Sequence, residues 1–127
     1  MRVSTPIERR HTYADTRQFA EIVAGAIART HRGLATTEWT KAKRRGVLID
    51  ANQNGEGKTI ASAYSVRPRP GAPVSTPLRW SEVNEDLDPL SFTMPVVLDR
   101  IRKHGDLYAG VLTTRQRLAD ALKSLGG

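Results

Sequence analysis

Phe19, Ile22, Val23, Ala26 and Ile27 recur three and four positions apart, which gathers apolar side chains on one face of an α-helix. Thr12 and Asp15 stand ahead of them at capping-box spacing, with Asp in place of the usual Glu, and Gly33 follows as a stop. A helix from about Ala14 to Thr30 is predicted. Val3 to Ile7, before it, reads as a short strand. Thr36 to Arg45 opens with hydroxyl and acidic residues and ends in Lys41, Lys43, Arg44 and Arg45. That charge order suits a helix dipole, so a second, short helix is expected there.

Val47, Leu48 and Ile49 form an apolar run too short for a helix and rich in branched side chains. It reads as a buried strand that delivers Asp50 at its end. Asn52 to Gly57 must then be a loop. Thr59 to Arg67 has strand composition, Pro68 to Pro73 is a rigid turn, and Val74 to Leu78 returns as a second strand. Ser81 is placed to cap a short helix after Trp80. Met94 to His104, closed by Gly105, and Thr113 to Leu125, closed by Gly126, carry leucine-bearing helical stripes. The pattern is α/β: a small central β-sheet with flanking helices and a helical C-terminus. No repeat, low-complexity tract or linker divides it, so residues 1–127 are expected to form one domain.

Composition narrows the chemistry. With 39% apolar and 26% charged residues, a chain of 127 residues is suited to fold around a core. It has no cysteine, which excludes disulfides, thiolate nucleophiles and sulfur-ligated zinc. No apolar run reaches the roughly 18 residues of a membrane span, and Met1 to Arg10 is polar, so a cytoplasmic protein without membrane contact is expected. Twenty Lys and Arg against 13 Asp and Glu leave a net charge of +7, which makes nucleic acid the leading partner and the nucleoid the expected setting.

Asn52-Gln53-Asn54-Gly55-Glu56-Gly57-Lys58-Thr59 nearly spells a phosphate-binding loop. Asn52 replaces its first glycine, and the residues that follow, ending in Arg67-Pro68, make a poor helix, so no helix N-terminus would face a phosphate. Asp50 has two readings. Past a buried strand, its carboxylate suits a hard divalent cation; alternatively it caps the loop by bonding the backbone of Asn52. Lys41, Lys43, Arg44 and Arg45 precede that strand, and Arg67, Arg69 and Arg79 bracket the Pro/Gly turn, a layout fit for a triphosphate or a DNA backbone, or for a solvated surface. Trp39, Tyr64 and Trp80 suit either base stacking or boundary packing. His11, His31 and His104 have no paired-ligand spacing.

Several of these segments together resemble a known family. Arg44-Arg45-Gly46-Val47-Leu48-Ile49-Asp50-Ala51-Asn52-Gln53-Asn54, Lys58-Thr59, Tyr64-Ser65-Val66-Arg67, Gly71-Ala72-Pro73-Val74-Ser75-Thr76-Pro77 and Trp80-Ser81-Glu82 are similar to the polymerase domain of bacterial DNA ligase D, of the archaeo-eukaryotic primase superfamily. The resemblance runs from about Pro6 to Gln116 and is densest from Lys43 to Glu82. It implies a DNA end-joining polymerase/primase that adds ribo- or deoxynucleotides on a template. Asp50 would be the third metal-binding, catalytic carboxylate for Mn²⁺ or Mg²⁺. Arg67 would contact the incoming nucleoside triphosphate, with Lys43 and Gln53 around nucleotide and template. Lys41, Arg44, Arg45 and Arg69 are then the expected contacts to DNA or RNA-primed DNA.

The departures from the family pattern shape the expectation as well. The family's paired aspartates, Asp-x-Asp, and its Ser and His motif normally precede a region like Val3 to Arg10, and the chain opens about where the His motif would finish. Asp86 and Asp88 have the Asp-x-Asp spacing, but they follow Trp80. Ala51 and Ala63 replace a common aromatic and a common proline. The expectation is a partial primase-polymerase fold matching the C-terminal half of the domain. Its catalysis would be completed by a separate N-terminal half or by a homo-oligomer. The alternative is a non-catalytic nucleic-acid-binding or interaction module, or a remnant without function.

Overall fold

The computed structural model describes residues 1–125, with the side chain of Leu125 left aside. It confirms the mixed α/β class. Backbone contacts separate two compact units, one of Met1–Pro6 with Ala61–Thr114, the other of Ile7–Ile60 with the described residues from Arg115 on.

In the second of these units the strongest sequence signal is realised. Helix α1 spans Tyr13–Thr30. Thr12 Oγ1 accepts the Asp15 N–H at 3.2 Å, and Asp15 Oδ2 accepts the Thr12 N–H at 2.8 Å, a closed capping box. The Thr12 bonds hold the Asp15 carboxyl below its usual range. Gly33, at φ +86°, lets the chain turn back after the helix. Strand β1, Ala35–Thr36, then pairs in parallel with β2, Val47–Leu48, in the register Ala35 to Val47 and Thr36 to Leu48. Gly46 joins them at φ +80°, where a Cβ would stand 2.5 Å from the Leu34 carbonyl oxygen, so no larger residue fits without moving the ladder. Helix α1 packs on β1 and on the last helix, with Ala24 and Leu118 as the buried apolar residues of the unit.

The short helix expected over residues 36–45 is absent. Thr36, Thr37, Trp39 and Thr40 are branched or aromatic and favour extended backbone, and Ala35–Thr36 is taken up by the parallel ladder. Only one turn forms, with Lys43 N–H and Arg44 N–H donating to the Thr40 carbonyl. Strand β2 is also not buried, because Val47 is 68% exposed.

In the other unit, residues 64–75 fold back on themselves around the Pro/Gly turn as expected, but of the two strands expected over residues 59–67 and 74–78 only one isolated bridge forms. Arg67 N–H donates to Pro73 O at 2.8 Å, Ser75 N–H to Ser65 O at 2.9 Å, and Val66 bridges Val74 antiparallel. The last bond of this pairing runs from Tyr64 N–H to Ser75 O at 2.7 Å. Tyr64 has φ +63°, which breaks an extended chain, so no strand runs over residues 59–67. Residues 3–7 form no strand either: they join no ladder among the described residues, and Pro6 lacks an N–H to donate. A single-turn helix covers Trp80–Glu82, starting one residue before Ser81, with Glu82 Oε2 accepting the Arg79 N–H at 2.7 Å. A second covers Pro89–Ser91.

Helix α2, Met94–His104, forms as expected and stops at Gly105. Val74 and Val97 make the buried apolar centre of this unit. Helix α3 is Ala109–Thr113, and α4, Leu118–Leu125, belongs to the unit of α1. The last helix therefore starts five residues later than its leucine stripe suggests, because Thr114 takes an extended ψ of 141°. Gly126, its expected stop, lies outside the described residues. Among the described residues no helix is long and apolar enough to cross a membrane.

Candidate nucleic-acid interface

Asp50 follows β2 and is exposed. The hydrogen bond from Ile49 N–H to Thr36 O, 2.8 Å, extends the ladder to its doorstep. Its Oδ1 accepts the Asn52 N–H at 2.8 Å, the loop-capping arrangement weighed from sequence. Asn52 is held in turn, its Oδ1 accepting from Arg17 of α1 at 3.2 Å. Asp50 and Asn52 line a cavity of about 290 Å³ together with Leu48, Thr37 and Trp39, closed on one side by Glu21, Ala24 and Gly25 of α1. Glu21 is the second carboxylate of this cavity and is ion-paired to Arg17 at 2.9 Å. Sequence reading missed it, although Glu21, Ala24 and Gly25 fall at i, i+3 and i+4 and so share one helix face.

The described residues contain no group of three or more His, Cys, Asp or Glu placed to hold a metal ion. Two-metal phosphoryl chemistry asks for several converging carboxylates. Asp50 fits as one oxygen ligand, but the residues around it do not complete a cation site.

Lys41, Lys43 and Arg45 are exposed on the loop before β2, and Gln53 is exposed on the loop after Asp50. Arg44 behaves differently. Its Nε donates to Glu38 O at 3.2 Å and its terminal nitrogen to Trp39 O at 2.8 Å, so the guanidinium clamps its own loop. Charge is unevenly shared: this unit holds 13 Lys and Arg against 7 Asp and Glu, so +6 of the +7 lies in it. A surface of that sign attracts phosphates over a Debye length of roughly 8–10 Å.

Arg67 and Arg69 belong to the other unit and are exposed at the hairpin turn. Their backbones build the turn, Arg67 O accepting from Arg69 N–H and Arg69 O from Ala72 N–H, each at 2.8 Å. In the same unit the Tyr64 hydroxyl donates to Asp106 Oδ1 at 2.6 Å. Desolvation first, and then this bond, push the Tyr64 phenol up to about 12. The same bond, with the Tyr108 N–H, holds the Asp106 carboxyl below its usual value. Arg79 contacts His104 Nδ1 at 3.2 Å, and desolvation together with Arg79 keeps that imidazole below its usual value.

Comparison with known proteins bears on this arrangement. The family model described as LigD, primase-polymerase domain matches residues 1–108. The bifunctional non-homologous end joining protein LigD of Bacillus subtilis is 40% identical over 95 residues, 74% of this chain and 16% of that protein. The multifunctional non-homologous end joining protein LigD of Pseudomonas aeruginosa is 30% identical over 131 aligned positions, covering 97% of this chain and 15% of that protein. Among solved structures, the polymerase domain from Mycobacterium tuberculosis ligase D in complex with DNA superposes with a TM-score of 0.79 at 28% identity. That match covers 88% of this chain and 39% of the solved one. The chain thus spans about a sixth of the length of these curated relatives.

Proposed function

Because this chain belongs to the LigD primase-polymerase domain family, we propose that it is part of a DNA end-joining polymerase module: in one unit Asp50, Lys43 and Gln53 serve a nucleoside triphosphate while Lys41 and Arg45, on the loop that Arg44 clamps, hold nucleic acid, and in the other unit Arg67 serves a triphosphate and Arg69 nucleic acid. The observation that carries this reading is the placement of Asp50, exposed at the end of β2 on the rim of a cavity, in the unit that concentrates the positive charge. Arg44 acts through the loop it clamps, and Lys41 and Arg45 lie against phosphates directly.

The family's reaction is template-directed nucleotidyl transfer, for which a divalent cation, Mn²⁺ or Mg²⁺, neutralises the charge developing on the triphosphate. Asp50 would supply one carboxylate to such an ion. No group of three or more His, Cys, Asp or Glu among the described residues could hold that ion, so its other ligands would have to come from another segment or another copy. In solution the module works on DNA or RNA-primed DNA in the cytoplasm, at the nucleoid. A second reading is a nucleic-acid-binding module without chemistry. It is favoured by one specific observation, that Asp50 already serves as the cap of its own loop.

The test is primer extension across a 5′-phosphorylated gap with Mn²⁺. The chain is assayed alone, and again with a polypeptide carrying the family's Asp-x-Asp and Ser/His motifs. Extension by the mixture that disappears in Asp50→Asn supports the polymerase reading. Binding without extension in the mixture sinks it and leaves the binding module. Extension by the chain alone would mean that copies of it complete the site between them.

A further inference from the structure

Trp39 is 60% exposed, although Trp is among the side chains that gain most from burial. An exposed indole on a mobile loop would carry no meaning, but this loop is anchored at several points. Arg44 holds the carbonyl of Trp39 itself and that of Glu38. On the near side Glu38 N–H donates to Thr36 Oγ1 at 3.0 Å, at the end of β1. On the far side Thr40 N–H donates to Glu38 Oε1 at 2.8 Å. The backbone under the indole is therefore fixed before any ligand arrives, and little ordering entropy is left to lose on binding.

The indole also stands at a cavity. Trp39 lines the space of about 290 Å³ that Asp50 and Asn52 share, just below the roughly 300–1,000 Å³ typical of small-molecule pockets. That is room for one planar base. Asn52 and Thr37 offer amide and hydroxyl groups beside it. Exposed Lys41, Lys43 and Arg45 follow Trp39 along the same loop. An aromatic face with flanking cations is the composition of sites that stack single-stranded bases while tracking their phosphates. A protein partner fits less well, because lysine is depleted from protein–protein interfaces and this unit carries +6.

We propose that Trp39 is a stacking platform for one unpaired nucleobase of a nucleic-acid strand, pre-positioned by the Arg44 clamp. The proposal rests on the nucleic-acid part of the proposed function and not on nucleotidyl transfer. Because every base has a π face, the platform accepts any of them and adds affinity without reading sequence.

Trp39 and Trp80 are the only tryptophans, so Trp80→Phe leaves Trp39 as the sole indole reporter in the full chain. Titration of Trp80→Phe with a short oligothymidylate should quench its fluorescence, whereas an abasic strand of equal length should bind by charge without quenching. Trp39→Ala should weaken oligothymidylate binding on the order of tenfold, Trp39→Phe should weaken it less, and neither should shift the thermal midpoint appreciably. Equal quenching by the abasic strand, or no quenching while binding persists, overturns the proposal. So does a blue shift that grows with protein concentration in the absence of nucleic acid, which would make this face a contact between copies of the chain. Extension activity enters none of these readouts, so loss of the polymerase reading would leave the result intact.

Discussion

Asp50 Oδ1 accepts the backbone N–H of Asn52 at 2.8 Å, which lets one carboxylate serve the loop through one oxygen and leaves the second oxygen to face solvent or a ligand. The two duties separate by mutation. Asp50→Asn keeps an oxygen for the Asn52 N–H and should leave the thermal midpoint nearly unchanged, whereas Asp50→Ala should cost about 1 kcal/mol. If Asp50 is the metal ligand, both variants lose Mn²⁺-dependent binding of nucleoside triphosphate. Loss in Asp50→Ala alone would assign it to the loop.

Arg44 should part company with its charged neighbours. Arg44→Gln removes the donors that hold Glu38 O and Trp39 O and is expected to destabilise by about 1–2 kcal/mol. Lys41→Gln, Lys43→Gln and Arg45→Gln should be neutral for stability within about 0.5 kcal/mol. Each should instead weaken nucleic-acid binding and lower the slope of log K against log salt by about 0.7 on a single strand. Denaturant melts and salt titrations of the four variants check this.

Gly46→Ala should disrupt the β1–β2 pairing. A Cβ there meets the Leu34 carbonyl oxygen at 2.5 Å, and φ is +80°. Strain of that kind costs about 1–3 kcal/mol, enough to matter in a domain of ordinary stability. Faster amide exchange at Val47 and Ile49, whose N–H groups donate to Leu34 and Thr36, would be the direct readout.

Acid should weaken the unit that contains α2. Arg100 pairs with Glu82 at 2.5 Å, and this hydrogen bond, with the Arg79 N–H, holds the Glu82 carboxyl down to about 2 from 4.5. A folded-state value below the unfolded one means that the contribution is full above about 4.5 and is lost as pH falls through about 2. Arg100→Met should flatten the stability profile across that window. An unchanged profile would show that the ion pair is not formed in solution.

The sequence by itself determined the elements whose signals are local. Thr12, Asp15 and the Phe19 to Ile27 stripe specified α1 and its cap, because a capping box and an i, i+3, i+4 face need only neighbouring residues. Gly105 ended α2 for the same reason. Motif order from Lys43 to Glu82 was enough to indicate the family, and both readings of Asp50 were already available from its place after an apolar run.

Only the tertiary structure decided what lies over residues 36–45. A helix-like charge order yielded there to a two-residue parallel ladder with β2, and a pairing between distant residues leaves no local periodicity to read. Arg44 bonds the Glu38 and Trp39 carbonyls of its own loop, six and five residues back, but other partners were set by tertiary contacts. They put Glu21 of α1 at the cavity of Asp50, since a residue's partners across the fold are fixed by packing rather than by its neighbours in sequence.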